Sequence, residues 1–187
     1  MRTLWLVGLA FVVAVAPFAA CGGGAPRCTG DGCACGDTGC TCGAGACAVA
    51  CSGASCVQAC TSTAVCTLDV GGGATTTCSN SSSCSGTAGS DLTLTCSNGA
   101  ACTVEAGGHL TALCENTAVC QLKGGASTSV RCNNSATCEL DCTSPSCSVV
   151  CSDSAKCTCR GVGCGITCRA GTTTTCPDGR QVCGAGC

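Results

Sequence analysis

The chain has 187 residues and a formal net charge of -2, with 8 Lys and Arg against 10 Asp and Glu and no basic stretch, which argues against a nucleic-acid partner. It contains 29 cysteines and 28 glycines but no Tyr, and its one Trp and two Phe all lie within the first 18 residues. The rest of the chain cannot build a conventional aromatic-rich core. Its stability must therefore come from cross-links and backbone hydrogen bonds.

Residues 1–20 have the proportions of a secretory signal peptide. Arg2 is followed by an apolar run over residues 4–16, which is too short to span a bilayer comfortably. We therefore expect the protein to be exported.

The end of this segment resembles the lipobox of bacterial lipoproteins, in which a cysteine becomes the first residue and carries the lipid. The match is Phe-Ala-Ala-Cys at 18–21, whereas ordinary cleavage after Ala20 would place Phe18 where signal peptidase requires a small residue. The resemblance implies lipidation at Cys21 and a membrane anchor at the outer membrane or cell surface, with residues 21–27 as a flexible tether. Removing Cys21 also leaves an even number of cysteines. In an ordinary secreted protein Cys21 would be a spare thiol.

Residues 28–59 form a Cys-rich segment with short repeats, which we expect to cap the fold. An exported protein of this cysteine density normally contains disulfides, because the compartment is oxidising. Alternate cysteines are spaced by seven residues from Cys28 to Cys42 and by nine from Cys42 to Cys60. Nine is half of the period that follows, so we expect two disulfides per coil in the flanks and one in the centre.

Residues 60–141 contain two cysteines six residues apart that recur every 18 residues. The five pairs are Cys60 and Cys66, Cys78 and Cys84, Cys96 and Cys102, Cys114 and Cys120, and Cys132 and Cys138. Such a period, with glycines in the connecting stretches, is typical of a solenoid in which one repeat forms one coil. The sequence therefore predicts an all-β, disulfide-rich β-solenoid with 18-residue coils and irregular Cys-rich ends.

Parity supports the solenoid, because 18 is even and side chains alternate between the two faces of a strand. From residue 60 to residue 142 every cysteine is at an even position and every charged residue is at an odd position. Most Leu and Val residues are also even, with Val65, Leu113 and Val119 as exceptions. Even positions should thus face the interior.

Two columns of non-cysteine residues follow the same period. One is an asparagine column at even, hence inward, positions, which should form a structural hydrogen-bonded ladder from coil to coil: Asn80, Asn98, Asn116 and Asn134. The other contains small residues, because only these would fit beneath the disulfide: Ala64, Ser82, Ala100, Ala118 and Ala136.

Pairing each cysteine with its nearest neighbour uses every cysteine after Cys21. Besides the five repeat pairs, the rule gives Cys28–Cys33, Cys35–Cys40, Cys42–Cys47, Cys51–Cys56, Cys142–Cys147, Cys151–Cys157, Cys159–Cys164, Cys168–Cys176 and Cys183–Cys187. Bridges between adjacent coils are the competing scheme, since equivalent residues stack about 4.8 Å apart. Residues 142–187 form the C-terminal Cys-rich cap, and we expect its last part to be an irregular disulfide knot.

The central segments, such as CSNGAAC and CENTAVC, resemble the disulfide-bridged beetle antifreeze β-helix, although the period here is longer and the likeness covers only residues 60–138. The resemblance supports pairing within one coil and implies ice binding through Thr-Cys-Thr rows. The residues that flank the first cysteine of each pair form no continuous Thr row here. A more regular outward row is Thr75, Thr93, Thr111 and Ser129. Ice binding therefore stays an alternative function.

A thiolate metal site is the other alternative. The closest cysteine pairs, as in metallothioneins, are Cys33 and Cys35, Cys40 and Cys42, and Cys157 and Cys159. They lack the two-residue spacing and the histidines of structural zinc sites.

Catalysis has little support, because His109 is the only histidine and the carboxylates are scattered. We expect no enzyme and no cofactor. The expected function is that of a cell-surface lipoprotein whose rigid rod has a structural or adhesive role, with a surface protein or a polysaccharide as its partner.

Overall fold

The computed structural model describes residues 25–53 and 55–187. The expected signal peptide and the lipidation site at Cys21 lie outside these residues. The described part is an all-β solenoid of about seven coils. It contains no helix that is long and apolar enough to cross a membrane.

The coils are built from short strands that alternate between two sheets. The strands are β1 (Arg27–Thr29), β2 (Cys33–Cys35), β3 (Gly39–Cys42), β4 (Ala46–Cys51), β5 (Val57–Cys60), β6 (Val65–Val70), β7 (Thr75–Cys78), β8 (Ser83–Ala88), β9 (Leu92–Cys96), β10 (Ala101–Ala106), β11 (Leu110–Cys114), β12 (Val119–Gly124), β13 (Ser129–Cys132), β14 (Thr137–Cys142), β15 (Cys147–Cys151), β16 (Lys156–Gly161), β17 (Cys164–Cys168), β18 (Thr174–Thr175) and β19 (Gln181–Cys183). Sheet A has the order β1-β4-β6-β8-β10-β12-β14-β16-β19-β18, and sheet B has the order β17-β15-β13-β11-β9-β7-β5-β3-β2.

Each coil contributes one strand to each sheet, and neighbouring coils pair in parallel with equivalent residues in register. Cys96 pairs with Cys114 in sheet B, and Cys102 pairs with Cys120 in sheet A. The register confirms the 18-residue coil of the centre. It also keeps each type of side chain in a column along the coil axis.

The alternation of burial confirms that even positions of the central strands face inward. Leu94, Val104 and Leu122 are at most 3% exposed. The odd-numbered Val65 and Val119 are 50% and 45% exposed. The core is therefore a narrow column of disulfides and aliphatic side chains between the sheets, and the polar residues cover the two outer faces.

Both ends of the solenoid carry antiparallel strands. At the N-terminal end β1 pairs with β4 and β2 pairs with β3, whereas at the C-terminal end β19 pairs with β16 and β18 pairs with β19. The parallel coils between them run from β3 to β17 and thus extend beyond residues 60–141 on both sides. The Ile166 amide at the end of sheet B donates to Gln181 Oε1 at 3.0 Å, which covers part of an edge that could otherwise pair with another chain.

Candidate functional site

The turns that lead from sheet B into sheet A carry one disulfide in every coil, and we call this side of the molecule the stapled edge. The five expected repeat couples are all present there, with Cα–Cα distances of 6.2 to 6.5 Å. The full column contains Cys42–Cys47, Cys60–Cys66, Cys78–Cys84, Cys96–Cys102, Cys114–Cys120, Cys132–Cys138, Cys151–Cys157 and Cys168–Cys183. The bridges therefore lie within coils, and adjacent coils are joined by backbone hydrogen bonds.

The last two couples of the nearest-neighbour rule, Cys168–Cys176 and Cys183–Cys187, are wrong. The structure joins Cys168 to Cys183 and Cys176 to Cys187. The cause is a reversal of the chain, because β19 returns antiparallel to β16 and places Cys183 opposite Cys157. Cys183 thus takes the position that the next parallel coil would have filled, and the column of the stapled edge continues to the end of the fold.

The opposite edge, formed by the turns from sheet A into sheet B, is cross-linked only in the flanks. Its disulfides are Cys51–Cys56, Cys142–Cys147 and Cys159–Cys164. In the central coils the same positions are occupied by buried pairs without sulfur, namely Val70 and Ala74, Ala88 and Leu92, Ala106 and Leu110, and Gly124 and Thr128. The flanks therefore carry a disulfide at both edges, as their cysteine spacing predicts.

The asparagine ladder exists, but the inward orientation expected for it is wrong. Asn80, Asn98, Asn116 and Asn134 are exposed at the stapled edge. Each amide donates from Nδ2 to Oδ1 of the preceding asparagine, at 3.5, 3.3 and 2.6 Å along the column. The parity argument fails here because these residues lie in turns, where the alternation of a strand is interrupted.

Backbone geometry explains why asparagine occupies these turns. Asn98 and Gly99 have φ values of 53° and 76°, and the Ala100 amide donates to the Ser97 carbonyl at 3.2 Å. Positive φ at both central residues with this hydrogen bond is typical of a type I′ turn, for which Asn-Gly is the favoured sequence. Ala100 follows the turn and is 0% exposed beneath the disulfide, as are Ala64, Ala118 and Ala136, whereas Ser82 is 1% exposed. The small-residue column is thus confirmed.

Cysteine sulfurs from adjacent coils come close enough to form potential metal-ligand triads. Five triads have all sulfurs within 4.8 Å of one another: Cys28, Cys33 and Cys35; Cys60, Cys66 and Cys84; Cys96, Cys102 and Cys120; Cys114, Cys120 and Cys138; and Cys142, Cys159 and Cys164. Of the close pairs seen in the sequence, the triads include Cys33 and Cys35 but neither Cys40 and Cys42 nor Cys157 and Cys159. Two members of each triad are joined by a disulfide, and metal ions bind thiolates. Metal binding would therefore require a reduced chain.

The outer face of sheet A carries the chain's most regular set of charges. We call it the charge ladder, and it consists of Glu105, Lys123, Asp141 and Arg160, which stand in register on consecutive strands. Lys123 Nζ donates to Glu105 Oε1 at 2.7 Å, and this carboxylate raises the pKa of Lys123 above its usual 10.5. Arg160 pairs with Glu139 in the adjacent column. Sequence analysis missed the ladder, although charges of alternating sign recur at the coil period.

The ladder borders a shallow depression of about 550 Å³ on the same face. Its lining also includes the hydroxyl and amide side chains of Ser85, Thr103 and Gln121. The depression is open to solvent and polar, so it offers a docking surface.

The outer face of sheet B carries a row of hydroxyl groups. Thr75, Thr93, Thr111 and Ser129 are in register, and Ser148 extends the row by one coil. The neighbouring outward column begins with Thr77 and Thr95, but it continues with Leu113, Arg131 and Val150. A double row of threonines therefore spans only two coils.

Comparison of the chain with protein families, with characterised proteins and with solved structures finds no match.

Proposed function

We propose that the protein is an exported lipoprotein whose disulfide-stapled solenoid is a rigid, non-catalytic rod with a structural or adhesive role at the cell surface. The proposal rests on the use of cysteine. Disulfides take every cysteine of the described residues, so that Cys21 is the only one of the 29 that these couples leave over. A cysteine set aside at the end of a signal-like segment is what lipidation requires.

The rod explains the other features of the chain. A solenoid of parallel coils is stabilised by contacts between neighbouring coils, so its two outer faces are free to contact other molecules. Both faces are polar, and the described residues hold a single histidine, which is exposed. The lipid would attach the N-terminal end of the rod to a membrane, and a surface protein or a polysaccharide would contact its outer faces.

Mass spectrometry and cell fractionation test the proposal. We expect the native protein to carry an acyl group on Cys21 and to gain two hydrogens per disulfide on reduction. Cys21→Ser should abolish acylation and release the protein from membranes, whereas Ser52→Ala, at an exposed loop, should change neither. A wild-type chain without acyl mass, or membrane attachment that survives Cys21→Ser, would contradict the lipoprotein assignment.

Ice binding is a second candidate, favoured by the registered row of hydroxyl groups on sheet B. Its test is thermal hysteresis and the shape of ice crystals. We expect Thr93→Lys, in the row, to abolish such activity, and Thr103→Lys, on the other sheet, to preserve it. Absence of thermal hysteresis in the oxidised wild-type protein would eliminate this candidate.

A further inference from the structure

The charge ladder of sheet A has an order of signs that is complementary to itself. From β10 to β16 the signs are negative, positive, negative and positive. Neighbouring members are separated by about 4.8 Å, the spacing of strands in a sheet. A ladder of this kind matches a copy of itself that runs in the opposite direction, because every member then faces the opposite charge.

We propose that the outer face of sheet A is a docking surface for a second copy of this chain, in an antiparallel homodimer. The two-fold axis would run parallel to the strands and pass between β12 and β14. Glu105 then faces Arg160 of the second copy, and Lys123 faces Asp141 of the second copy. Symmetry repeats both contacts, so the whole ladder is used. This inference goes beyond the proposed function and does not depend on lipidation at Cys21.

The other in-plane orientation is unfavourable. A two-fold axis parallel to the coil axis would place each coil over the same coil of the second copy. The ladder would then lie over the first outward column of sheet A, which contains Ala101, Val119, Thr137 and Lys156. Glu105, Lys123 and Asp141 would face uncharged residues, and Arg160 would face the like charge of Lys156. Charge complementarity therefore selects the antiparallel arrangement.

The surface permits close approach and has an area suited to weak association. Ser85, Ala101 and Thr103 beside the ladder are small and exposed, and Val119 is a half-exposed apolar side chain that the second copy would cover. Six strands of about 20 Å length, spaced by about 4.8 Å, would bury on the order of 1,000 Å² in total. This lies near the lower limit for specific interfaces, so the dimer should be reversible. Its exposed charge pairs should weaken as salt screens them.

The experiment measures self-association of the oxidised protein, purified in nonionic detergent so that neither an attached lipid nor the apolar N-terminal segment causes association. Sedimentation equilibrium at low ionic strength should show a monomer–dimer equilibrium for the wild type. Lys123→Asp and Asp141→Lys each place two like-charge pairs in the dimer. Each should raise the dissociation constant at least about tenfold. Arg131→Asp makes the same charge change on sheet B and should leave the dissociation constant unchanged.

Mixing the two variants provides the decisive test. In a heterodimer of Lys123→Asp with Asp141→Lys, Asp at 123 of one chain faces Lys at 141 of the other, and the wild-type residues at these positions also face opposite charges. The mixture should therefore associate although neither variant does so alone. A wild type that stays monomeric at low salt, or a mixture that associates no better than its components, would overturn the proposal. Circular dichroism of each variant checks that it is folded.

Discussion

The stapled edge and the opposite edge of the central coils solve the same packing problem in different ways. At the stapled edge a disulfide joins the two sheets in every coil, and the turn is closed by residues with positive φ. At the opposite edge the disulfide of the flanks is replaced in each coil by two buried side chains, such as Ala106 and Leu110. A small and a larger residue thus fill the space that a disulfide fills elsewhere.

The comparison shows why the chain can fold without aromatic residues. The interior between the sheets is narrow at both edges, so a disulfide or one leucine fills it. At Gly124 the space is already taken, because an added Cβ would lie 2.2 Å from Thr128 Oγ1. Close packing with small residues replaces the large side chains of a conventional core.

Removing a central disulfide should have the largest effect, because its coil has no second staple. We expect Cys96→Ala with Cys102→Ala to lower the free energy of unfolding by about 2 kcal/mol from the lost loop constraint, with a further loss from the vacated volume. Hydrogen exchange should show loss of protection in β9 and β10. The matched control is Cys142→Ala with Cys147→Ala, which leaves Cys151–Cys157 in the same coil and should deprotect less. Equal deprotection would mean that the second staple does not matter.

Shortening a leucine at the opposite edge tests whether packing replaces the disulfide there. Leu110 is 0% exposed, so Leu110→Ala should lower the free energy of unfolding by about 2–5 kcal/mol. Leu113→Ala, three residues later on the outer face, should cost much less. Chemical denaturation of both variants measures the difference. If the two costs were equal, Leu110 would not have the role assigned to it.

The asparagine ladder should make the smallest of these contributions, because it is exposed. Asn98→Ala removes two ladder hydrogen bonds and places alanine at positive φ, so it should cost about 1 kcal/mol. Asn98→Gly loses the same bonds but tolerates the backbone. A smaller cost for glycine in thermal denaturation assigns the effect to the backbone. A larger cost for glycine would show that the ladder, rather than the backbone, selects asparagine.

The coil itself was predictable from the sequence, because cysteines and charges separate by parity over a constant even period. That regularity fixes the register, the buried positions and the couples within coils. The orientation of Asn98 was not predictable from parity, since a turn interrupts the alternation. Nor was the Cys168–Cys183 couple, because the reversal of β19 depends on packing at the end of the fold. The charge ladder could have been found from alternating signs at the coil period.

The most direct test of the account is a peptide map of the oxidised protein that assigns each disulfide. We predict couples within coils along the stapled edge, Cys51–Cys56 and Cys142–Cys147 at the opposite edge, and a C-terminal end closed by Cys168–Cys183 and Cys176–Cys187. Bridges between equivalent cysteines of adjacent coils, such as Cys96 and Cys114, or free thiols throughout the repeat, would contradict the stapled solenoid.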